Sequence, residues 1–376
     1  MRAIAPQAVM AEALEGVIGW LRRGGAARPF EAFQIEVTSR CNIKCVMCPV
    51  TVLADRWPQR DMRWETFEAI AGAFEHTAWV YLQGWGEPLL HRRIFDMIAK
   101  AKSAGCRVGF TTNGTRLTPR TGGRLLDLGL DLLAVSIAGA TATTHEAIRV
   151  GSDFSRLTQN LRRFLLLRGE RNSATPKVEV FFLMTRTNLA ELPRAVELAA
   201  ALHADELVAT NLDYVITPAL DALRAHSPAA PGQAFLRAMD EARAAAARCG
   251  IAFRAYPLES REMAVCDLNP LKILFVCADG RVSPCVYTSL AGQSEIPRFF
   301  DGRSANVPAV HFGNIGEKPL KEIWDCPEYR AFRQLFLKRL VGTKAMVLDA
   351  ARGESASEEA TPAPEPCRTC PKLYGL

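Results

Sequence analysis

The chain is 376 residues long, which is enough for one large domain and a smaller one. Its net charge is +6, from 46 basic and 40 acidic residues without a long single-sign run, and this argues against a nucleic-acid-binding or polybasic membrane protein. Most of its eleven cysteines, an odd number, lie in two clusters, which indicates metal ligation in a reducing cytoplasm rather than a disulfide framework. The composition therefore predicts a cytoplasmic metal-binding protein that contacts neither nucleic acid nor membrane.

The first predicted element is an amphipathic helix over residues 6–23, within an N-terminal helical extension at 1–32. Its apolar residues Val9, Leu14, Ile18 and Leu21 are interspersed with acidic ones, so the segment is too polar for a signal-peptide core or a membrane span. We expect it to dock on the edge of the following domain, and a surface for a partner protein is the second interpretation.

Strand-like and helix-like segments alternate from residue 33 onward. The strands are short runs rich in β-branched and aromatic residues, at 33–39, 79–84, 107–114, 132–139, 178–185 and 206–215. Helical periodicity lies between them, at 64–74, 93–104, 120–128, 154–167 and 192–202. Successive βα units predict an α/β fold with a parallel sheet and right-handed crossovers, which an open doubly wound sheet and a barrel both satisfy.

Three cysteines come directly after the first predicted strand. Cys41, Cys45 and Cys48 are spaced CxxxCxxC, and these short spacers let three thiolates on one loop face a single soft metal centre. A structural zinc site or a 4Fe-4S cluster has four ligand positions, so three local cysteines leave one unfilled. Either a distant residue fills that position, or one iron stays open for an exogenous ligand.

This loop resembles the CxxxCxΦC signature of the radical S-adenosylmethionine (SAM) enzymes, with Met47 at the apolar position Φ. The resemblance implies that Cys41, Cys45 and Cys48 form the catalytic centre by holding a 4Fe-4S cluster, whose open iron binds SAM through its amino and carboxylate groups. Barrel enzymes place their chemistry on loops after the strand C-termini, where these motifs fall. The resemblance therefore favours a partial (β/α)6 TIM-type barrel over residues 33–258.

The second predicted strand ends in the run Gly84-Trp85-Gly86-Glu87-Pro88. Its glycines allow the backbone to approach a ligand closely, Glu87 offers an acceptor, and Pro88 rigidifies the exit. The run resembles the family's GGEP motif, which implies contacts from its backbone and acidic side chain to the SAM amino group. Trp85 is the departure, because it stands where the motif has its first glycine.

Polar residues also end the third and fourth predicted strands. Thr112 and Asn113 precede a glycine, and an Asn-Gly turn frees the threonine side chains to face a ligand. Ser136 resembles the serine that family members direct at SAM. Arg149 resembles the arginine that pairs with the SAM carboxylate, which suits a bidentate guanidinium; a surface ion pair is the alternative. Ala138 stands where many relatives carry an acidic residue, so ribose or substrate contacts are not implied there.

The sixth predicted strand also ends in polar groups. Asp213 and Tyr214 are predicted to face the mouth of the barrel, together with Arg254 on a later run at 251–256. These three are the candidate substrate contacts, and ordinary loop chemistry is the alternative for each of them.

A second group of cysteines begins at Cys266, continues with Cys285 after a hairpin-like turn at Gly280, and ends in the CxxC pair Cys367 and Cys370. Four cysteines predict a second, fully ligated metal site. The spacing resembles the twitch domain, the shortened form of the SPASM extension, and implies one auxiliary 4Fe-4S cluster within residues 259–376. A full SPASM domain would have about three more cysteines, which the tail lacks.

The competing interpretation of this second group is a structural zinc site. A mobile linker rich in Ala, Glu, Ser and Pro is predicted at 341–366, before the final CxxC. Most of the remaining cysteines are expected to be small buried apolar residues: Cys106, Cys249, Cys277 and Cys326.

The resemblance implies an enzyme in which one-electron reduction cleaves SAM to a 5′-deoxyadenosyl radical that abstracts hydrogen from an unactivated carbon, with the auxiliary cluster as electron relay. A reducing partner such as flavodoxin or ferredoxin is expected. Because only forty residues precede Cys41, without room for a peptide-recognition domain, we expect a small polar substrate that is oxidised or epimerised. Maturation of a ribosomally made peptide is the alternative, and a non-catalytic metal-binding interaction module is a more remote one.

Overall fold

The computed structural model describes residues 28–226, 232–352 and 361–376, and the helix predicted at 6–23 lies outside them. The strands of three or more residues in these ranges are β1 (Phe30–Ile35), β2 (Thr77–Tyr81), β3 (Arg107–Thr112), β4 (Leu132–Ile137), β5 (Lys177–Met184), β6 (Glu206–Asn211), β7 (Ala252–Ala255), β8 (Ile273–Val276), β9 (Arg281–Ser283), β10 (Glu295–Phe300) and β11 (Arg303–Pro308). Shorter strand pairings involve Lys44–Cys45, Arg149–Val150 and Gly313–Asn314.

Helices connect these strands and cover the sheet. The longer ones are α1 (Trp64–Ala71), α2 (Ile94–Ser103), α3 (Pro119–Asp127), α4 (Ala142–Ile148), α5 (Phe154–Glu170), α6 (Leu192–Ala201), α7 (Gln233–Cys249), α8 (Leu320–Trp324) and α9 (Pro327–Arg352), with single turns at Pro49–Val52 and Pro218–Asp221. Thr118, Thr141 and Asp153 cap α3, α4 and α5, because each side chain accepts a backbone N–H of the first turn. None of the helices in the described part of the chain is long and apolar enough to cross a bilayer.

The central sheet decides between the two predicted architectures. Its strand order is Gly313–Asn314, β9, β8, β1, β2, β3, β4, β5, β6, β7, and the run from β8 to β7 is parallel throughout. A doubly wound sheet reverses its strand order at a switch point, whereas successive neighbours with right-handed crossovers put the helices on one face. The sheet is therefore of the barrel type. Since β7 and the opposite edge do not pair within the described residues, the barrel is partial, as predicted.

Side chains alternate between the two faces of this sheet. Phe33 and Ile35 of β1 are fully buried under the helices, whereas Gln34 between them lines a cavity on the concave face. On β4, Val135 belongs to the same helix-covered core and Ser136 lines the cavity. Strands that are apolar at the core-facing positions thus contribute polar groups to the interior of the barrel.

Several predicted boundaries are corrected by the structure. β1 begins at Phe30, so the predicted extension 1–32 overlaps the first strand. The strands predicted at 79–84, 107–114, 132–139 and 206–215 end earlier than expected, because the polar residues that close each run form loops. The linker predicted at 341–366 is wrong for residues 341–352, which are the last turns of α9. Their Ala, Lys, Leu and Met residues are strong helix formers, and this outweighs the Pro-rich composition farther on.

The C-terminal region continues the barrel sheet rather than packing beside it. β8 pairs in parallel with β1, and the β8–β9 hairpin turns at Gly280, whose φ of +88° favours glycine. The hairpin β10–β11 packs Ile296 and Val307 against the loop after β6. The division into domains at 258/259 stays a prediction, and one sheet crosses it.

Candidate functional site

The concave face of the sheet encloses a cavity of about 340 Å³. Its walls come from the cysteine loop after β1, the strand ends on the same side, and a turn of the C-terminal region. It brings together most of the residues predicted for the site: Cys41, Cys45, Met47, Cys48, Gly84, Gly86, Glu87, Thr112, Asn113, Ser136, Arg149, Asp213 and Tyr214. Pro88 and Arg254 do not line it.

The first cysteine is positioned by the loops after β2 and β3. The Glu87 N–H donates to the Arg40 carbonyl at 2.8 Å, immediately before Cys41. Asn113 Nδ2 donates to Asn42 Oδ1 at 3.1 Å and lies 3.8 Å from the Cys41 Sγ. An amide donor next to sulfur stabilises the thiolate form. The residues predicted for SAM binding therefore also hold the cysteine loop.

The second cysteine is held by a short strand pairing. Lys44–Cys45 pairs antiparallel with Arg149–Val150, and Arg149 Nη1 lies 3.8 Å from the Cys45 Sγ. The Nε of Arg149 is buried and has no hydrogen-bond partner among the described residues. A buried guanidinium nitrogen at a cavity wall fits an anionic ligand, because an unpaired cation in this position is costly. In the part of the chain that the structure describes, Arg149 forms no surface ion pair, and its Nη1 faces the Cys45 sulfur instead.

Glu87 fixes the ends of β2 and β3 relative to each other. Its Oε1 accepts from the Leu89 N–H at 3.1 Å and from Thr112 Oγ1 at 2.7 Å, and its Oε2 accepts from the Asn113 N–H at 2.7 Å. Burial raises the pKa of this carboxyl. A carboxylate has about four acceptor positions, so about one is left for a ligand. Thr112 donates its hydroxyl proton to Glu87 rather than facing a ligand freely.

The glycines of the GWGEP run are required by protein packing. A Cβ on Gly84 would lie 2.5 Å from the Cγ of Glu36, and one on Gly86 would lie 2.6 Å from the Arg40 carbonyl oxygen and closer still to that of Thr38. The turn is thus pressed against the backbone that leads into the cysteine loop. The sequence reasoning had placed the close approach at the ligand, whereas the structure places it between the two motifs.

The contacts of Trp85 account for a tryptophan where the family motif has a glycine. Its ring packs 5.4 Å from that of Tyr214 and 5.7 Å from that of Tyr287, measured between ring centroids, and its Nε1–H donates to the Ser289 carbonyl at 3.4 Å. The tryptophan therefore ties the GWGEP turn to the loop after β6 and to the C-terminal region. The Tyr214 hydroxyl donates to the Pro297 carbonyl at 3.1 Å, so only its ring is offered to the cavity.

A buried ion pair lies at the end of the cavity formed by the C-terminal region. Asp213 Oδ2 accepts from the Tyr287 hydroxyl at 2.7 Å and pairs with Lys372 Nζ at 2.7 Å. Asp213 and Tyr287 line the cavity, and Lys372 is behind them with its Nζ 4.5 Å from the ring centroid of Tyr256. Neither contact uses the Oδ1 of Asp213. This arrangement leaves one oxygen of a charged carboxylate available to the cavity.

The prediction for Arg254 is wrong. Its Nε donates to Glu206 Oε1 at 3.1 Å, and its Nη2 lies 3.8 Å from Glu179 Oε1. These acids lie at or near the N-terminal ends of β6 and β5, while the cavity is at the C-terminal ends. Lys177 joins the same cluster. Arg254 is consequently part of a structural ion-pair network.

The second cysteine group is also assembled. Burial, and then the charges of Cys285 and Cys370, raise the pKa of the Cys266 thiol to about 12. Burial, and then the charge of Cys370, raises the pKa of Cys285 to about 11, and Cys367 is raised by burial and then by the other three thiols. Four thiols far apart in sequence are thus close enough for their charges to act on one another, and the turns at Glu365–Cys367 and Pro371–Tyr374 carry two of them.

The thiols of the two cysteine groups are mostly unionised without a cation. As the side chains stand, no three His, Cys, Asp or Glu residues in the described ranges are placed to hold one metal ion. A 4Fe-4S cluster takes one cysteine on each of its irons. In the first group, burial raises the pKa of Cys48 to about 12 and also raises that of Cys41, so these thiols ionise when a metal cation offsets the cost.

The comparisons with known proteins agree with this geometry. The family description Radical SAM superfamily matches residues 35–198, and the description SPASM, an iron-sulfur cluster-binding domain, matches residues 266–371. The chain belongs to the radical SAM superfamily and carries a SPASM domain. This confirms the family predicted from the two cysteine motifs, and it supports an enzyme rather than a non-catalytic metal-binding module.

Two curated proteins and one solved structure illustrate the relationship. The tungsten-containing aldehyde ferredoxin oxidoreductase cofactor-modifying protein of Pyrococcus furiosus is 28% identical over 305 residues, which is 80% of this chain and 82% of that protein. The AdoMet-dependent heme synthase of Methanosarcina barkeri is 25% identical over 327 residues, covering 80% and 83%. Streptococcus suis SuiB bound to precursor peptide SuiA aligns with a TM-score of 0.58 at 14% identity, covering 88% of this chain and 73% of that one, which shows a shared fold.

Membership in the radical SAM superfamily brings two kinds of cofactor. The radical SAM domain binds SAM and a 4Fe-4S cluster, and the SPASM domain binds auxiliary iron-sulfur. The residues present fit both groups: two sets of thiols that are half-buried or buried, and an unpaired Arg149 nitrogen at the cavity wall. The remaining cysteines are placed elsewhere, with Cys106 and Cys277 buried, Cys326 half-buried and Cys249 exposed.

Sequence reasoning missed several residues of this radical SAM site. Glu36 is an acidic residue in an apolar strand, which was a usable signal; its oxygens accept the N–H groups of Trp85 at 3.1 Å and Ala278 at 3.2 Å. Burial raises the pKa of Glu36 to about 7. Tyr287 and Lys372 each lie two residues after a predicted cluster cysteine, yet only the tertiary structure brings them to Asp213.

Proposed function

We propose that this radical SAM protein is an oxidoreductase- or epimerase-type enzyme that acts on a small polar substrate held next to Asp213 and Tyr287. Cys41, Cys45 and Cys48 would hold the SAM-binding cluster. Cys266, Cys285, Cys367 and Cys370 would hold one auxiliary 4Fe-4S cluster as an electron relay. The observation that carries the proposal is a single cavity lined both by the three thiols and by Asp213, whose Oδ1 has no hydrogen bond among the described residues.

The residues around the first cysteine group support SAM binding. Arg149, with its buried unpartnered Nε, would pair with the SAM carboxylate, and Glu87 retains about one acceptor position for the amino group. Ser136 and Met47 line the same cavity. When bound, the cluster supplies an electron that cleaves SAM to a 5′-deoxyadenosyl radical, which removes hydrogen from carbon.

The rest of the cavity wall favours a hydroxylated substrate. Gln34, Gln83, Thr111 and Thr210 contribute neutral hydrogen-bonding groups from successive strands. Asp213 Oδ1 can accept a hydrogen bond from a substrate hydroxyl or amine. The cavity is near the lower end of the usual range for small-molecule sites, about 300–1,000 Å³, and SAM shares it. The hydrogen-bonding groups of the wall suit a hydroxylated substrate such as a sugar or an aminocyclitol.

Modification of a peptide is the second candidate. It is favoured by the shared fold with SuiB, which was solved with a precursor peptide. In that case a single side chain would enter the cavity and the remainder of the peptide would lie outside it. For either substrate class, a reducing partner such as flavodoxin or ferredoxin would deliver the electron.

Anaerobic reconstitution tests the cluster assignment. Wild-type protein is expected to contain about eight irons per chain, and a Cys41/Cys45/Cys48→Ala variant about four, with sulfide in equal amount. With dithionite and SAM, wild type should form 5′-deoxyadenosine and the triple variant should not. Cys249→Ala removes an exposed thiol and is the matched control, with iron content and activity unchanged. Zinc without sulfide, or a fully loaded wild type without 5′-deoxyadenosine, would refute the proposal.

The substrate class is tested by isotope transfer. Perdeuterated aminocyclitols and sugars form one panel and perdeuterated short peptides the other, and the true class transfers deuterium into 5′-deoxyadenosine. We expect transfer from the first panel, with a raised KM in Tyr287→Phe, which lacks the hydroxyl bonded to Asp213. Tyr256→Phe is the control, because Tyr256 lies outside the cavity lining. Transfer only from peptides would replace the small-molecule proposal with the peptide one.

A further inference from the structure

A buried arginine of the β10–β11 hairpin lies beside the second cysteine group. Arg298 is on β10 and is only 3% exposed. The hairpin contacts the C-terminal turns that carry the cysteines: β11 touches the turn Glu365–Cys367, and the Phe300 ring lies 4.9 Å from that of Tyr374. The hairpin therefore delivers a cation to the wall of the auxiliary site.

The hydrogen bonds of Arg298 are incomplete. Its Nη2 donates to the Tyr287 carbonyl at 2.7 Å, which orients the guanidinium. Its Nε and Nη1 are buried, and neither has a hydrogen bond of good geometry among the described residues. The thiol of Cys370 lies next to the guanidinium, and the thiol of Cys367 is close enough for its charge to act on it.

An arginine in this state requires an anion. A buried guanidinium without a counter-charge costs several kcal/mol, and an apolar residue of similar volume would be more stable. Arg339, a second buried arginine of the same region, has paired donors: they reach three backbone carbonyls and the Glu262 carboxylate. Among the described residues, Arg298 donates to a single carbonyl instead, and the thiol of Cys370 lies beside its guanidinium.

We propose that Arg298 is a positioning residue of the auxiliary cluster: it donates N–H bonds to the sulfurs on the Cys370 and Cys367 side and raises the cluster's reduction potential. The proposal rests on the assignment of Cys266, Cys285, Cys367 and Cys370 given above. Reduction adds one negative charge to a cluster that four thiolates already make anionic. A buried cation stabilises the reduced form more than the oxidised form, and hydrogen bonds to the sulfurs act in the same direction.

The experiment measures the midpoint potential of the auxiliary cluster alone. The Cys41/Cys45/Cys48→Ala variant removes the first cluster, so that an EPR-monitored redox titration of the full-length protein reports the second. In this background, Arg298→Met is expected to lower the equilibrium constant for one-electron reduction of the cluster at least tenfold. This corresponds to a midpoint potential about 59 mV more negative. Arg298→Lys keeps the charge without the planar donors, and a smaller shift of the same sign is expected.

Arg339→Lys is the matched control, because it alters a buried arginine of the same region whose donors are already paired. The midpoint potential of the cluster should not change in this variant. A loaded cluster with unchanged potential in Arg298→Met would refute the role of Arg298. If Arg298→Met does not retain iron, the test uses Arg298→Lys. An unchanged midpoint potential of the cluster in that variant would also refute the role of Arg298. Fewer than about four irons in the background protein would refute the four-cysteine site, and with it this proposal.

Discussion

Gly86→Ala is the sharpest test of how the GWGEP turn supports the first cysteine. The added Cβ would lie 2.6 Å from the Arg40 carbonyl oxygen and closer still to that of Thr38, and both are backbone atoms. Neither can rotate away, so the chain that leads into Cys41 must move. The same carbonyl of Arg40 accepts the Glu87 N–H at 2.8 Å, and this bond lengthens with the shift.

The expected cost is worked from these two contacts. Overpacking against a fixed neighbour costs about 1–3 kcal/mol, and weakening one hydrogen bond costs about 1 kcal/mol. Alanine also restricts the unfolded chain, which returns about 0.5–1 kcal/mol. We therefore expect the free energy of unfolding to fall by about 1–3.5 kcal/mol. Because Cys41 moves with the chain, iron should fall from about eight toward about four per chain.

The measurement is urea unfolding followed by circular dichroism, with iron and sulfide counted on the same anaerobic samples. Gly169→Ala is the matched control, because a Cβ there has no atom within 4 Å and the residue lies in α5. That variant should be unchanged or more stable by up to about 1 kcal/mol. A Gly86→Ala protein with wild-type stability and wild-type iron would show that the contact between the two motifs carries no strain.

Three further outcomes are expected. Asp213→Asn leaves the Lys372 ammonium buried without its counter-charge and should lower the free energy of unfolding by about 3–5 kcal/mol. The double variant Asp213→Asn/Lys372→Met should recover most of the lost free energy of unfolding in urea unfolding. Losses that simply add in the double variant would contradict the expectation. Burial, and then the Arg149 charge, lowers the pKa of His145 to about 3, so the folded state binds fewer protons than the unfolded state below pH 6.5. Stability should fall from pH 6.5 toward pH 4 more steeply in wild type than in His145→Gln, and parallel urea-unfolding curves would contradict this. Iodoacetamide should alkylate the exposed Cys249 of the folded protein and spare Cys277, whose pKa is raised by burial, as mass spectrometry of peptides would show; equal labelling would be incompatible with the structure.

The sequence by itself determined the elements whose signals are local. CxxxCxxC, GWGEP and the final CxxC are contiguous runs, and the alternation of strands and helices predicts a parallel sheet. The strand order follows from the barrel that the family resemblance favours, and the structure confirms it. Spacing alone also placed Asp213 and Tyr214 correctly at the cavity, since the C-terminal ends of parallel strands meet at one edge.

Only the tertiary structure decided the contacts between distant parts of the chain. Arg254 follows a polar pattern like that of Asp213, yet its position on β7 directs it to Glu206, and no local signal separates the two cases. Lys372 is a buried cation whose partner Asp213 is more than a hundred residues away along the chain. The physical reason is that the sequence identifies each charged residue but not its partner. The partner depends on how elements that are far apart in the sequence pack against each other.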